Sequence, residues 1–263
     1  MDILQPLPTN WSTIRTFKKY QHSRPHINNI INNMTIDNVK KDERYLRLLS
    51  EKFPNTNAVV SELINLRAIL SLPKGTEHFV SDLHGASQAF THMVKNASGV
   101  IRKKVDEIYG EKITEEEKRA LCALIYYPDE RLEIELTGKN EDEKKTFFRQ
   151  RIPQVVDVAR AVTVKYTRSK VRKLLQKDFA YVIEELLHES TLEERGNYYS
   201  SVIEAIIETG RAEQLIISIC YLIHWLAIDV LHIVGDIYDR GPGAQKIMDI
   251  LMILILIELN KNI

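Results

Sequence analysis

Two short apolar runs constrain this chain more than anything else in it. EHFVSDLHG begins at Glu77 and DVLHIVGD spans Asp229 to Asp236; each is apolar and then acidic, and the long stretch between them has a helical period. Phe79 and Val80 read as a buried strand whose C-terminal end delivers Asp82 and His84 into a loop closed by Gly85. The second run ends in Asp236 and continues as IYDRGPG. The predicted fold class is therefore α/β, with two strands that carry carboxylates at their C-terminal ends and a helical block inserted between them.

Four segments follow from the pattern. Residues 1–41 are rich in Asn, Thr and Pro and read as a loose leader. Residues 42–85 hold N-terminal helices and the first strand: Tyr45, Leu46, Leu48 and Leu49 recur near the helical spacing, Pro54 breaks the run, and AVVSELINLRAILSL resumes it until Pro73-Lys74-Gly75. Residues 86–227 form the helical insertion, in which Thr114 with Glu117 three residues later has the form of a capping box. Residues 228–263 hold the second strand and an apolar tail. There is no internal repeat and no low-complexity segment.

Composition narrows the partners. Lys and Arg number 36 against 36 Asp and Glu, so no net field draws the chain to nucleic acid or to an anionic membrane, and a small-molecule partner is expected. Cys122 and Cys220 form no CxxC pair, and MDILQPLPTNW lacks the basic and apolar regions of a secretory signal, so a reduced, cytoplasmic protein is expected. The longest apolar run, ILMILILI from Ile250 to Ile257, is far shorter than the roughly 20 residues a membrane-spanning helix needs. It reads instead either as a further helix and strand of an α/β layer or as an exposed, β-prone run that lowers solubility.

The chemistry lies at the strand ends. In an extended or turning segment residues two apart point the same way, so Asp82 and His84 can converge on one metal ion. A carboxylate with a neutral imidazole suits manganese, iron or zinc better than calcium. Asp236 can complete this centre and bridge to a second ion, and two ions roughly 3.5 to 4 Å apart suit in-line phosphoryl displacement. Arg240 offers a planar fork to phosphate oxygens, and Gly235 and Gly241 free the backbone to turn tightly. The plainer reading of GDxxDRG is a charged turn with an internal pair between Asp239 and Arg240.

The order strand, DxHG, strand, GDxxDRG resembles the first two motifs of the calcineurin-like metallophosphoesterase superfamily. LPKGTEHFVSDLHG, KYTRSKVRK, FAYVIEELLHE and LHIVGDIYDRGPG together resemble the class 3, Firmicutes-type fructose-1,6-bisphosphatases, over roughly Leu46 to Met252. The resemblance implies an incomplete metallophosphoesterase sandwich of the four-layer type, with a large, mainly helical insertion between the first two metal motifs. It implies Asp82 and His84 as ligands of the first metal and Asp236 as the bridging ligand. Arg240 would be a phosphate contact, and Asp239 an acid behind the ligands or the orienter of a catalytic histidine. The implied reaction is hydrolysis of fructose 1,6-bisphosphate to fructose 6-phosphate and phosphate, a gluconeogenic step, with manganese (Mn2+) at a binuclear site.

The chain departs from that pattern after Gly243. It reads AQKIMDILMILILIELNKNI, without a Gly-Asn-His motif, and no histidine follows His232, so the second metal's remaining ligands are absent. The expectation is the N-terminal portion of a longer enzyme, its activity alone an open question. His22 and His26 fall in the leader, His78 begins the first strand, His92, His188 and His224 sit in helical patterns, and His232 reads as structural. TRSKVRK can grip a sugar phosphate but reads better as a solvated helix face; Tyr126, Tyr127 and Trp225 read as packing residues. The alternatives are a phosphoprotein phosphatase or nucleotidase of the same superfamily, or a non-catalytic helical remnant. Oligomeric state is not legible.

Overall fold

The computed structural model describes residues 43–188 and 196–262, with residues 257–262 described by their backbone alone. The expected leader, with His22 and His26, lies outside the described residues. The chain divides into two compact units, Met1–Ala68 and Ile69–Ile263. In the first, helix α1 (Glu43–Lys52) carries Glu43 in its first turn and Lys52 in its last, each complementing the helix dipole. After the break at Pro54, the Asn55 side chain accepts the Ala58 N–H at 2.9 Å and starts α2 (Thr56–Leu70), as the apolar spacing predicts. Neither helix holds a buried residue, and Val59, Leu63 and Leu66 remain exposed.

In the second unit, β1 (Glu77–Ser81) and β2 (Val230–Val234) form a two-stranded parallel sheet with Glu77 opposite Val230 and Ser81 opposite Val234. Parallel neighbours need a long crossover, and here it is the whole helical block. Between the strands run α3 (Ser87–Asn96), α4 (Val100–Tyr109), α5 (Glu115–Tyr126), α6 (Pro128–Leu136) and α7 (Glu141–Thr163). They are followed by α8 (Arg168–Leu174), α9 (Ala180–His188), α10 (Gly196–Glu208) and α11 (Ala212–Ala227). After β2 comes α12 (Ala244–Asn262).

Local chemistry explains the helix starts. Thr114 accepts the Glu117 N–H at 3.2 Å while the Glu117 carboxylate accepts the Thr114 N–H at 2.8 Å, the expected capping box. Asn140 and Glu143 repeat it at the start of α7, a signal present in the sequence but not read there. The main core gathers Val155, Val158 and Val162 of α7 against Leu215, Ile219 and Leu222 of α11, with Ile101, Leu121 and Ile125 beside them. Trp225 and Tyr126 pack on its margin, and Cys122 and Cys220 are buried free thiols. In α8, Val171 and Leu174 point inward while Arg168, Arg172 and Lys173 are exposed. The RSKVRK face is thus largely solvated, with Arg172 paired to Glu184.

A second, smaller core holds the sheet in place. Leu83, Phe90 and Ile247 are buried together, and Val80, Leu231 and Ile233 pack on them from one face of the sheet. Among the described residues, the other face is left exposed. Phe79 is 71 % exposed and stacks on His232 with ring centroids 4.3 Å apart, and Val234 is also exposed. The expectation of a buried Phe79 is corrected here: strand residues alternate between faces, and only the Val80 face is covered. The Ile250–Ile257 run lies within α12, not in a strand. Ile247, Ile250 and Leu251, at the three- and four-residue spacing of one helix face, reach the small core and account for that choice. Among the described residues, no helix is long and apolar enough to cross a membrane.

Candidate metal centre

The parallel pairing does not stop at the strand ends. The Asp82 N–H donates to the Val234 carbonyl (3.0 Å), His84 to Asp236 (3.1 Å) and Gly85 to Ile237 (2.9 Å). The loops after β1 and β2 therefore run side by side, held by backbone bonds that do not depend on side-chain identity. Between Asp82 and His84, the buried Leu83 anchors the first loop in the small core. Glycine allows the two loops to touch: a Cβ at Gly85 would stand 2.5 Å from the Gly241 carbonyl oxygen, and the Gly243 N–H donates to the Gly85 carbonyl at 3.1 Å.

Both loops carry strained backbone. Asp82, His84 and Arg240 all have positive φ, at 52°, 44° and 67°. Such conformations are uncommon for residues with a side chain and concentrate where surrounding structure enforces them, notably at functional sites. Arg240 occupies the middle of a three-residue turn closed by the Gly241 N–H on the Asp239 carbonyl at 2.8 Å. A turn of that hand is rare and strained, and it aims the Asp239 and Arg240 side chains from adjacent residues.

His84, Asp236 and Asp239 come together, each offering a ligand atom within 4.8 Å of the others. His84 Nδ1 lies 2.8 Å from Asp239 Oδ1, and Arg240 Nε lies 3.0 Å from Asp239 Oδ2. The hydrogen bond from His84 holds the Asp239 carboxyl below the usual carboxylate range; desolvation opposes this, and the charges of His84 and Arg240 support it. An ionised carboxylate only accepts, so Nδ1 presents a proton to Asp239, and Nε2 is the ring atom left for a cation. Arg240 is 74 % exposed at its side chain.

Asp82 stands apart from these three. Its carboxylate lies against Gly235, where a Cβ would overlap Oδ1. Asp82 and His84 both have left-handed backbone, so their aim is set by these loop turns and not by the two-residue alternation of an extended strand. Asp239, expected behind the ligands, instead lies among the possible ligand atoms while also orienting His84. The only sequence signal for this was the DRG turn itself.

One imidazole and two carboxylates fit a divalent transition ion such as manganese, iron or zinc. The fold and this group define a class: an α/β protein with a candidate cation site at the carboxyl ends of parallel strands, where open α/β sheets place their ligands. Residues 44–260 match the family of Firmicute fructose-1,6-bisphosphatases, and the chain belongs to that family. It is 53 % identical over 216 residues to the class 3 fructose-1,6-bisphosphatase of Parabacteroides distasonis, an overlap of 82 % of this chain and 32 % of that protein. The class 3 enzymes of Clostridium tetani and Bacteroides fragilis are 52 % and 53 % identical over 220 residues, covering 82 % and 83 % of this chain and 33 % of each relative. The chain thus spans about a third of the length of these curated relatives. No solved structure matches it.

Proposed function

We propose that this chain supplies part of the catalytic centre for metal-dependent hydrolysis of fructose 1,6-bisphosphate to fructose 6-phosphate and phosphate. The observation that carries the reading is the meeting of His84, Asp236 and Asp239 at paired strand ends, in a chain whose relatives are named class 3 fructose-1,6-bisphosphatases. In this reading Asp82, His84 and Asp236 hold Mn2+, Asp239 fixes the His84 ring, and the exposed Arg240 receives phosphate from solvent. A divalent ion at this place would supply Lewis-acid stabilisation of phosphoryl oxygens. The guanidinium adds a planar fork to the same charge.

The wider fold belongs to the same proposal. Parallel sheets are ordinarily covered on both faces, and here Phe79 and Val234 lie bare. That bare face supports reading residues 42–85 and 228–263 as the start of a metallophosphoesterase sandwich, with 86–227 as its helical insertion. The test is phosphate release with Mn2+ present. Release from fructose 1,6-bisphosphate, lost on Asp236→Asn, is the expected result for a full-length relative and for this chain if it is competent alone. Release from a phosphopeptide instead would favour the phosphoprotein phosphatase reading. Absence of both release and Mn2+ binding, with the helices folded, would leave the non-catalytic helical module.

A further inference from the structure

The register of β1 on β2 decides whether the site exists. A slip of one residue would set the His84 N–H against Gly235 or Ile237 rather than Asp236, and would turn every strand side chain to the other face. The apolar pattern pins this register weakly, because a slip that exposes Val80 would bury Phe79 in exchange. The pin stands at the opposite end of the sheet. The N–H groups of Asp229 and Val230 both donate to the Thr76 carbonyl at 3.1 Å, and the Thr76 N–H donates back to Asp229 Oδ2 at 2.6 Å. This is a reciprocal clasp between the residues that precede the two strands.

Two side chains from the helical block complete it. Lys165 and Tyr166, between α7 and α8, reach the same carboxylate: the Lys165 ammonium bonds Oδ2 and the Tyr166 hydroxyl bonds Oδ1. Lys165 also donates to Thr76 Oγ1 at 2.9 Å. The ion pair is largely buried, with side-chain exposures of 10 % for Lys165 and 16 % for Asp229. Gly75 leaves room for the carboxylate, since a Cβ there would come within 3.0 Å of Asp229 Cγ. Both oxygens are therefore bonded, and each bond fixes the start of one strand or joins it to the helical block.

We propose that Asp229 is a positioning residue, which sets the strand register and thereby assembles His84, Asp236 and Asp239, with Lys165 coupling the helical block to that register. The proposal rests on the metal-centre reading for its consequence, but its geometry stands independently. Replacing a buried ion pair by apolar groups of similar size is often tolerated, so paired substitutions separate register from general stability. Asp229→Asn with Lys165→Met removes both charges and keeps an acceptor for the Thr76 N–H. Asp229→Leu with Lys165→Met removes both charges and the acceptor.

The experiment measures amide hydrogen exchange along the 263-residue chain, together with Mn2+ titration followed by electron paramagnetic resonance. The Asn/Met chain should keep protection at Asp82, His84 and Gly85 within about threefold of the parent, and the Leu/Met chain should lose about tenfold or more there, with α7 and α11 unchanged. Mn2+ affinity should follow the same order. Equal behaviour of the two double variants would overturn the proposal, as would loss of α7 and α11 protection together with the loops, which would make Asp229 a general stabiliser. A parent chain that binds no Mn2+ would defeat the metal-centre reading, while the exchange pattern would still decide the register.

Discussion

His84 and Asp239 stand 155 residues apart in sequence, yet His84 Nδ1 and Asp239 Oδ1 are 2.8 Å apart in space. The contact follows from backbone pairing of the two loops, because His84 and Gly85 are bonded to the carbonyls of Asp236 and Ile237. A carboxylate behind a histidine ring fixes the tautomer that a cation needs.

Asp239→Asn should therefore weaken Mn2+ binding by about 10- to 100-fold, the usual cost of losing a carboxylate that orients a metal-binding histidine. The titration that tests the register also measures this. An unchanged dissociation constant would remove Asp239 from the surroundings of the ion.

Gly85→Ala should disrupt the loop contact. A side chain at a positive φ costs about 1–2 kcal/mol, and Gly85 sits at φ 70° with the Gly241 carbonyl in the way of a Cβ. Overpacking adds about 1–3 kcal/mol unless the loops separate. Loss of exchange protection at Gly85 and Gly243, with the helices intact, is the expected outcome; a variant with parent-like protection and Mn2+ affinity would show that the loops need no such approach.

The two faces of the sheet should respond differently to truncation. Phe90, 1 % exposed in the small core, should cost about 3–5 kcal/mol on change to Ala. Phe79 is largely exposed, so Phe79→Ala should cost only about 1 kcal/mol, mainly its stacking on His232. Urea unfolding of both variants measures the contrast. Equal losses would mean that Phe79 is covered in solution.

Mild acid should destabilise the helical block through His224. Burial, helped by the charge of Lys95 and opposed by a hydrogen bond to the Ile125 backbone, lowers its pKa to about 4 from the ordinary 6.5. The sign follows from proton counting: between those values the unfolded chain binds a proton that the folded chain does not, so stability falls as pH drops from about 6.5 to about 4. The full effect is on the order of 3 kcal/mol, reached near and below pH 4. Urea midpoints at pH 7.5 and pH 5, compared with those of His224→Gln, should show a smaller slope in the variant; parallel slopes would relieve His224 of this role.

Much of this was legible because it is local. The capping box of Thr114 and Glu117 links residues three apart, and the amphipathic period of α1 recurs within one or two turns. The stops at Pro54 and at Pro73 to Gly75 are likewise chemistry of single residues. The apolar-then-acidic runs also placed both strands and brought attention to His84, Asp236, Asp239 and Arg240. What failed was inference of burial: the apolar run predicted a buried Phe79, but burial depends on which sheet face is covered. The Asn140 box was present to be read and was not.

The sequence by itself determined where both strands and several helices lie and which side chains at the strand ends could hold a cation, because those are set by caps, period and residue type within a few positions. Only the tertiary structure decided that α12 is a helix, that His84 and Asp236 meet Asp239, and that Asp229, Lys165 and Thr76 meet. Such contacts span 64 to 155 residues, and a partner so distant is selected by the competition of whole packing arrangements, which no local pattern encodes.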